Sequence, residues 1–319
     1  MTNSVLTPDN DNQQRQQQYP LITSNNTLVT AFLPTPTRRH SLQDYLQLFE
    51  RTFSLHDHMV IITTPELVSN LTQIRQRFGP HDPYSQRTVY WTRQLNDTRF
   101  AQDYPLEFWQ NLVTGGTFHA HYSTFWVWSE KMQWLAEVAQ ANPFDSQFFG
   151  WIDAGMIRWD EYQNKTLLQR IPPQLQSNQF MVLNVTSTTK NSRNHMMGAG
   201  IMGGYKEGVL RYRDAYFETA RAVYNETKDL HTQQAIPLYD ISMASEQHLM
   251  YRTCMDHIVN DTHFLCLPIL PKRVRNSPLG GPLQFPIFWL LPFFDAQMFQ
   301  QMQRMGIVQD TWGPYTSLV

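Results

Sequence analysis

Apolar and polar positions in the first hundred residues follow two alternating patterns, one typical of strands and one typical of helices. Apolar residues at helical spacing predict a helix over residues 40–53, with Ser41 as its N-cap, and a second helix that Pro65 opens. Strands that alternate with helices at this interval indicate βαβ units and a mostly parallel sheet. Short apolar runs predict the buried strands at residues 27–33, 59–64 and 87–91.

The alternation continues through the rest of the chain. A long helix is predicted over residues 124–141, where Asn142-Pro143 ends it, and a strand over residues 147–152 follows. A glycine-rich stretch at residues 198–208 (GAGIMGGYKEG) is interpreted as a loop that leads into a helix. Further strands are predicted at residues 180–185 and 235–241, and further helices at residues 209–224 and 245–258. The expected fold class is α/β, a mostly parallel sheet flanked by helices in one catalytic-type domain.

Composition and charge narrow the classes of function. The 25 Lys and Arg residues against 27 Asp and Glu residues give a formal net charge of −2. This balance argues against a nucleic-acid binder, because such proteins present a strongly basic face. Charged residues make up 16% of the chain and aromatic residues 13%, which is typical of a globular protein rich in side chains for pocket walls. No apolar run is long enough to predict a membrane span.

Two segments depart from the alternating pattern. Residues 1–24 are rich in Gln and Asn and are expected to form a disordered arm, ahead of a domain over residues 25–319. Residues 267–319 are rich in Pro and aromatic residues. Within them, residues 285–294 (FPIFWLLPFF) leave three uses open: packing onto the core, a lid over an acceptor site, or a peripheral membrane contact through Trp289.

Sequons and cysteines bear on the cellular compartment. The Asn-x-Thr sequons are more frequent than chance placement predicts, which favours a glycoprotein in a secretory, Golgi-like lumen. Residues 1–20 lack the apolar segment of a signal peptide, so a cytoplasmic location stays open. Cys254 and Cys266 are expected to form a disulfide in a lumen, or to remain buried thiols in a cytosol. The sequons begin at Asn25, Asn70, Asn96, Asn164, Asn184, Asn225 and Asn260.

Asp153 is the first candidate for chemistry. It follows the predicted strand at residues 147–152 and precedes Ala154-Gly155, so it is expected at the carboxyl edge of the sheet, where open α/β folds bind ligands. A carboxylate there is suited to Mn²⁺ or Mg²⁺ that bridges a diphosphate. The alternative is a turn or a helix cap. The second acid of an Asp-x-Asp pair is absent, because Gly155 takes its place.

Two further features each admit a functional and a structural interpretation. The glycine-rich stretch at residues 198–208 either cradles phosphate with its backbone N–H groups or permits close backbone packing. It matches neither the P-loop nor the dinucleotide-binding pattern. Glu246 begins a predicted helix, where it is either a ligand-binding acid or an exposed capping charge.

Several of these residues together resemble the core signature of the HtrL/YibB (WlaTC) family of glycosyltransferase-like proteins. The resemblance spans residues 26–265, including a first strand at residues 28–31. Its matching blocks are Trp128-Ser129-Glu130-Lys131, Asn142-Pro143-Phe144, residues 149–155 (FGWIDAG) with Arg158 beyond them, Gly203-Gly204 and Glu246-Gln247.

The resemblance implies a GT-A-like fold with a Rossmann-type sheet that binds a UDP- or GDP-linked sugar, with Mn²⁺ or Mg²⁺. It implies that Asp153 is a catalytic acid on the metal or diphosphate side, and that Glu246 is a base or an acceptor contact. Lys131 and Arg158 would neutralise phosphate charge on the leaving group. The donor-binding residues that it implies are Thr30, Lys131, Gly155, Arg158, Gly203 and Gly204.

The expected function is transfer of a sugar, of the hexosyltransferase type, from a nucleotide-sugar to a glycan or another hydroxyl acceptor. Departure of a nucleoside diphosphate needs cationic help, and the acceptor hydroxyl needs a base. For Lys131 the alternative is a stem packed along apolar surface with a solvated ammonium. For the whole chain the alternative is a non-catalytic carbohydrate-binding or scaffold protein, because Asp153 lacks its second acid.

Overall fold

The computed structural model describes ten segments of the 319-residue chain, residues 26–36, 41–78, 86–114, 121–157, 166–168, 171, 175–186, 195–228, 246–260 and 266–269. The strands in these segments are β1 (Asn26–Phe32), β2 (His58–Thr63), β3 (Thr88–Thr92), β4 (Phe148–Ile152), β5 (Phe180–Thr186), β6 (His195–Tyr205) and β7 (Cys266–Ile269). The helices are α1 (Leu42–Phe53), α2 (Val68–Gln76), α3 (Arg99–Asp103), α4 (Leu106–Thr114), α5 (Tyr122–Ala141), α6 (Lys206–Thr227) and α7 (Glu246–Asn260). Short 3₁₀ turns precede α2 and α3, at Pro65–Leu67 and Leu95–Asp97.

The described strands form one sheet in the order β3-β2-β1-β4-β6-β5-β7. Strand β1 pairs in parallel with both β2 and β4, and β3 and β7 also pair in parallel with their neighbours. Strand β6 runs antiparallel to β4 and to β5. The predicted α/β class with a mostly parallel sheet flanked by helices is therefore confirmed.

Alternate side chains of the central strands pack into two apolar cores, one on each face of the sheet. On one face Val29 and Trp151 pack among residues of α5 and α6, such as Leu135. On the other face Leu28 packs among residues of α1, such as Phe49. The chain is thus a three-layer structure in which helices cover both sides of the sheet.

The start of α1 and the end of α5 follow from local sequence as predicted, whereas α5 begins at Tyr122, two residues before its predicted start. Ser41 caps α1 in a reciprocal capping box, since its side chain accepts from the backbone N–H of Asp44 while the Asp44 carboxylate accepts from the Ser41 N–H. Helix α5 ends where Asn142 turns into the left-handed conformation with φ of 45°. Pro143 follows, and it has no N–H with which to continue the helix.

The glycine-rich stretch corrects the loop interpretation. Residues 198–205 belong to strand β6, and α6 begins directly after it. A Cβ atom at Gly203 would lie 2.5 Å from the carbonyl oxygen of Phe149, and one at Gly208 would lie 2.0 Å from that of Gln179. These glycines permit close backbone packing, which is the structural alternative for this stretch.

Other expectations lie at or beyond the edge of the described segments. The arm at residues 1–24, the predicted strand at residues 235–241 and the segment at residues 285–294 lie outside the described residues. The Pro- and aromatic-rich tail enters the structure only through its first three residues, which continue β7 from Cys266. Helices α3 and α4 and strand β7 were not predicted from sequence.

Cys254 of α7 and Cys266 of β7 form a disulfide with their Cα atoms 5.6 Å apart, as expected for a lumenal chain. The sequon residues Asn70, Asn96 and Asn225 are exposed. A lumenal location remains a prediction from these features. None of the helices in the described segments combines the length and the apolar character that crossing a membrane requires.

Candidate functional site

The order of the strands creates a crevice at the carboxyl edge of the sheet. From β1 the chain builds outward to β2 and β3 on one side, whereas β4 lies on the other side of β1. Connections that leave the parallel strands β1 and β4 therefore diverge at this point, and open α/β sheets bind ligands in such crevices. Residues 33–36 leave β1 here, and residues 153–157 leave β4.

A cavity of about 510 Å³ opens beside the end of β1, within the size range of small-molecule sites. Thr124, Val127 and Trp128 line it from α5, and Thr124 donates a hydrogen bond to Thr35 across it, 3.1 Å between the hydroxyl oxygens. The other lining residues come from the end of β1 and the start of α1, namely Ala31, Phe32, Leu33, Pro34, Thr35, Pro36, Ser41, Leu42, Tyr45 and Phe49.

A three-residue ionic cluster lies next to this cavity. The Lys131 Nζ is 2.9 Å from Oδ1 of Asp153 and 3.5 Å from Oε1 of Glu246. Lys131 follows Thr124, Val127 and Trp128 at helical spacing, so it continues the stripe of α5 that lines the cavity. The sequence-predicted residues Lys131, Asp153 and Glu246 are therefore brought together.

Neighbouring groups fix the cluster to the sheet. The indole Nε1 of Trp151 donates to Oδ1 of Asp153 at 2.8 Å, and the ammonium of Lys131 donates to the carbonyl of Ala199 in β6 at 3.3 Å. The same ammonium lies 5.9 Å from the centre of the Trp151 ring. The backbone N–H of Asp153 also donates to the carbonyl of Gly200, at 2.9 Å.

Exposure divides the cluster into an inner and an outer part. The side chain of Lys131 is 5% exposed and that of Glu246 is 12% exposed, whereas that of Asp153 is 39% exposed. The alternatives of a solvated Lys131 ammonium and an exposed Glu246 capping charge are therefore wrong. Asp153 is the member of the cluster that solvent or a ligand reaches most freely.

Burial and ion pairing act in opposite directions on the two inner groups. Burial lowers the pKa of Lys131, but the charges of Asp153 and Glu246 outweigh it and the net pKa is raised. Burial raises the pKa of Glu246, and the opposing effect of Lys131 only partly offsets it. A carboxyl group with a raised pKa beside a firmly protonated lysine is suited to accept a proton.

Tyr216 of α6 adds a neutral phenol near this inner part. Its side chain is fully buried. Burial, and to a smaller extent the negative charge of Glu246, raises the pKa of Tyr216 well above its ordinary value. The phenol therefore remains protonated close to Glu246.

The other residues predicted to bind the nucleotide-sugar donor lie apart from the cluster or outside the described segments. Thr30 is buried in β1 on the same face as Leu28 and Phe32, opposite to the face that carries Trp151. Its hydroxyl has no hydrogen-bond partner among the described residues. Arg158 lies outside the described residues.

The predicted glycines also fall in different places. Gly203 and Gly204 pair with Gly150 and Phe149, about 10–13 Å along β4 from Asp153 at ordinary strand spacing. Gly155 lies in the turn after Asp153, where an added Cβ would meet only Leu48, at an ordinary contact distance of 3.7 Å. No neighbour within the described segments requires a glycine at position 155.

Sequence reasoning missed Trp151, the Ala199 carbonyl and the cavity. Trp151 stands two residues before Asp153 in a predicted strand, so the two side chains share one face, and that spacing is a signal. The Ala199 carbonyl gave no signal, because the glycine-rich stretch was not recognised as a strand. The cavity joins β1 and α1 to α5, which is far from them along the chain.

The cluster does not match the ligand set of a divalent cation. Within the segments that the structure describes, no group of three or more His, Cys, Asp or Glu side chains is placed to hold a metal ion. Asp153 and Glu246 both already contact the Lys131 ammonium. Mn²⁺ and Mg²⁺ prefer several free oxygen ligands, so the residues present do not fit the metal expected at Asp153.

Comparison with known proteins finds similarity to solved structures but no matching family. No protein-family model matches the sequence, and no curated protein matches it. Mouse xyloside xylosyltransferase 1, in its apo form, is similar in structure with a TM-score of 0.36 and 8% identity, over 73% of this chain and 82% of that chain. A likeness at this level carries no argument about function. The resemblance to the HtrL/YibB family remains an expectation from sequence.

Proposed function

We propose that this chain is a glycosyltransferase that moves a sugar from a nucleotide-sugar donor to a glycan or another hydroxyl acceptor. The observation that supports this proposal is the cluster of Lys131, Asp153 and Glu246, which meets at the carboxyl edge of the sheet beside the cavity at the end of β1. Ligands of open α/β folds bind at this edge.

The cavity is suited to the nucleoside part of the donor. Tyr45 and Trp128 supply aromatic walls for a base, and Thr35 supplies a hydroxyl for the ribose. A diphosphate that leaves the cavity along α5 would approach Lys131 and Asp153, one helical turn beyond Trp128.

The cluster can act both in the attack of the acceptor and in the departure of the diphosphate. The acceptor oxygen forms a bond to the anomeric carbon, and the bond from that carbon to the diphosphate oxygen breaks with its electron pair leaving on the nucleoside diphosphate. The acceptor hydroxyl gives its proton to a carboxylate, for which the raised pKa of Glu246 is suited. Positive charge from Lys131, and from Arg158 as the family resemblance implies, stabilises the negative charge of the departing diphosphate.

A thermal-shift screen of UDP- and GDP-linked sugars tests the proposal, because a ligand that binds only the folded state raises the melting temperature. We expect one donor class to raise it in the wild type and not in V127W, which fills the cavity. Q140W places the same side chain at an exposed position of the same helix and is the matched control. No shift with any donor, or an equal shift in V127W, contradicts the proposal.

A further inference from the structure

We infer that the ammonium of Lys131 takes the place of a divalent cation between the two carboxylates, so that this site binds its donor without a metal. The inference rests on the proposed function for the identity of the donor. In the structure it is based on the oxygen atoms that surround the Nζ atom of Lys131.

The Lys131 Nζ is surrounded by three oxygen acceptors. They are Oδ1 of Asp153 at 2.9 Å, the carbonyl oxygen of Ala199 at 3.3 Å and Oε1 of Glu246 at 3.5 Å. An ammonium group has three N–H donors, so these acceptors use its full hydrogen-bonding capacity. Two carboxylates and one carbonyl also form the kind of oxygen set that a hard cation would take, and here a cation already occupies it.

The position of the ammonium is built into the fold. Lys131 is contributed by α5, Asp153 by the end of β4, Ala199 by β6 and Glu246 by the start of α7. The side chain of Lys131 is only 5% exposed, so its charge has little water to stabilise it. Removing either carboxylate from it would leave a buried charge with less compensation, which is costly.

The charges and ligands leave little for a metal ion to bind. Oδ1 of Asp153 accepts from both the Lys131 ammonium and the Trp151 indole N–H. A divalent ion on the same carboxylate would lie within a few ångströms of the ammonium and be repelled by it. The cationic help that a departing diphosphate needs would instead come from Lys131, which no chelator can remove.

Titration of the full chain with Mn²⁺ alone, followed by the electron paramagnetic resonance signal of free Mn²⁺, tests the assignment without any donor. We expect no saturable Mn²⁺ site in the wild type or in K131R. We expect one site in K131M, where both carboxylates lose their cation. A wild-type Mn²⁺ site that D153N abolishes would overturn the inference. The comparison of the wild type with D153N tests the inference even if K131M does not fold.

Calorimetric titration with UDP and with GDP, in EDTA and then in Mn²⁺, tests the consequence for the donor. We expect one nucleotide to bind with a Kd that differs less than about twofold between the two conditions, and K131M to weaken it at least about tenfold. Binding that requires Mn²⁺ overturns the inference. If neither nucleotide binds in either condition, the proposed donor class is wrong, and the Mn²⁺ titration still decides the assignment of Lys131.

Discussion

Among single residues, Glu130 links the stability of the fold to pH. Its side chain is buried in α5 and accepts from the backbone N–H groups of Arg99 and Phe100, at 2.9 and 3.2 Å. Burial raises the pKa of Glu130 from 4.5 to about 8, although these two hydrogen bonds act in the opposite direction. The folded protein therefore binds this proton more tightly than the unfolded chain does.

The sign of the pH dependence follows from that difference. Stabilisation by the protonated Glu130 is complete below a pH of about 4.5 and is lost as the pH rises toward about 8. We expect the melting temperature of the wild type to fall across this range more steeply than that of E130Q, which cannot ionise. E218Q, at an exposed position of α6, is the control and should keep the wild-type slope. Equal slopes in E130Q and the wild type would contradict the role of Glu130.

Single residues also show which part of the site could be predicted from the sequence. Asp153 was found because it follows a strongly apolar strand, and such a strand places its next residue at the edge of the sheet. The pairing of Lys131 with Glu246 joins residues 115 positions apart, so no local pattern could reveal it. The resemblance to a known family named both residues but said nothing of their contact.

Among the elements, strand β6 depends on glycine for its pairing with β4. A Cβ atom at Gly203 would lie 2.5 Å from the Phe149 carbonyl oxygen, closer than real Cβ contacts come. We expect G203A to lower the free energy of unfolding by about 3 kcal/mol, at the upper end of the usual cost of overpacking. Urea denaturation measures this. G155A, whose Cβ meets only an ordinary contact at 3.7 Å, is the matched control. A G203A protein as stable as G155A would contradict the pairing of β6 with β4.

A disulfide joins helix α7 to strand β7, the last strand in the order of the described sheet. Cys254 and Cys266 are 12 positions apart, and closing a loop of about that length stabilises a protein by about 3 kcal/mol in the chain-entropy account. We expect a reducing agent to lower the urea midpoint of the wild type and to leave that of a C254A/C266A variant unchanged. Alkylation of both thiols in denatured, unreduced protein would show that the disulfide is absent.

The elements differ in how far sequence could predict them, for physical reasons. Helix α1 has a clear apolar stripe and the start signal Ser41, and the largely apolar helix α5 has the stop signal Asn142-Pro143. Strand β6 has several glycines in place of β-branched residues, so its pairing comes from its neighbours rather than from its own pattern. Helices α3 and α4 are short, and α3 owes part of its N-terminal capping to the distant Glu130.

At the scale of the whole molecule, the order of strands decides where the site lies. The alternation of elements predicted a parallel sheet, but not that β4 would pair with β1 or that β6 would reverse direction. That order sets the crevice at the ends of β1 and β4, the cavity beside it and the meeting of α5 with α7. The class of fold could thus be predicted from sequence, whereas the shape of the site required the three-dimensional arrangement.

The most direct test of the central proposal is release of nucleoside diphosphate from UDP- and GDP-linked sugars with a mixture of glycan acceptors, by the wild type and by E246Q. The account predicts release by the wild type and a decrease of at least about 100-fold in E246Q, with donor affinity nearly unchanged, because the amide keeps the shape of the side chain but cannot take the acceptor proton. Equal release by both proteins, or no release from any donor, would contradict it.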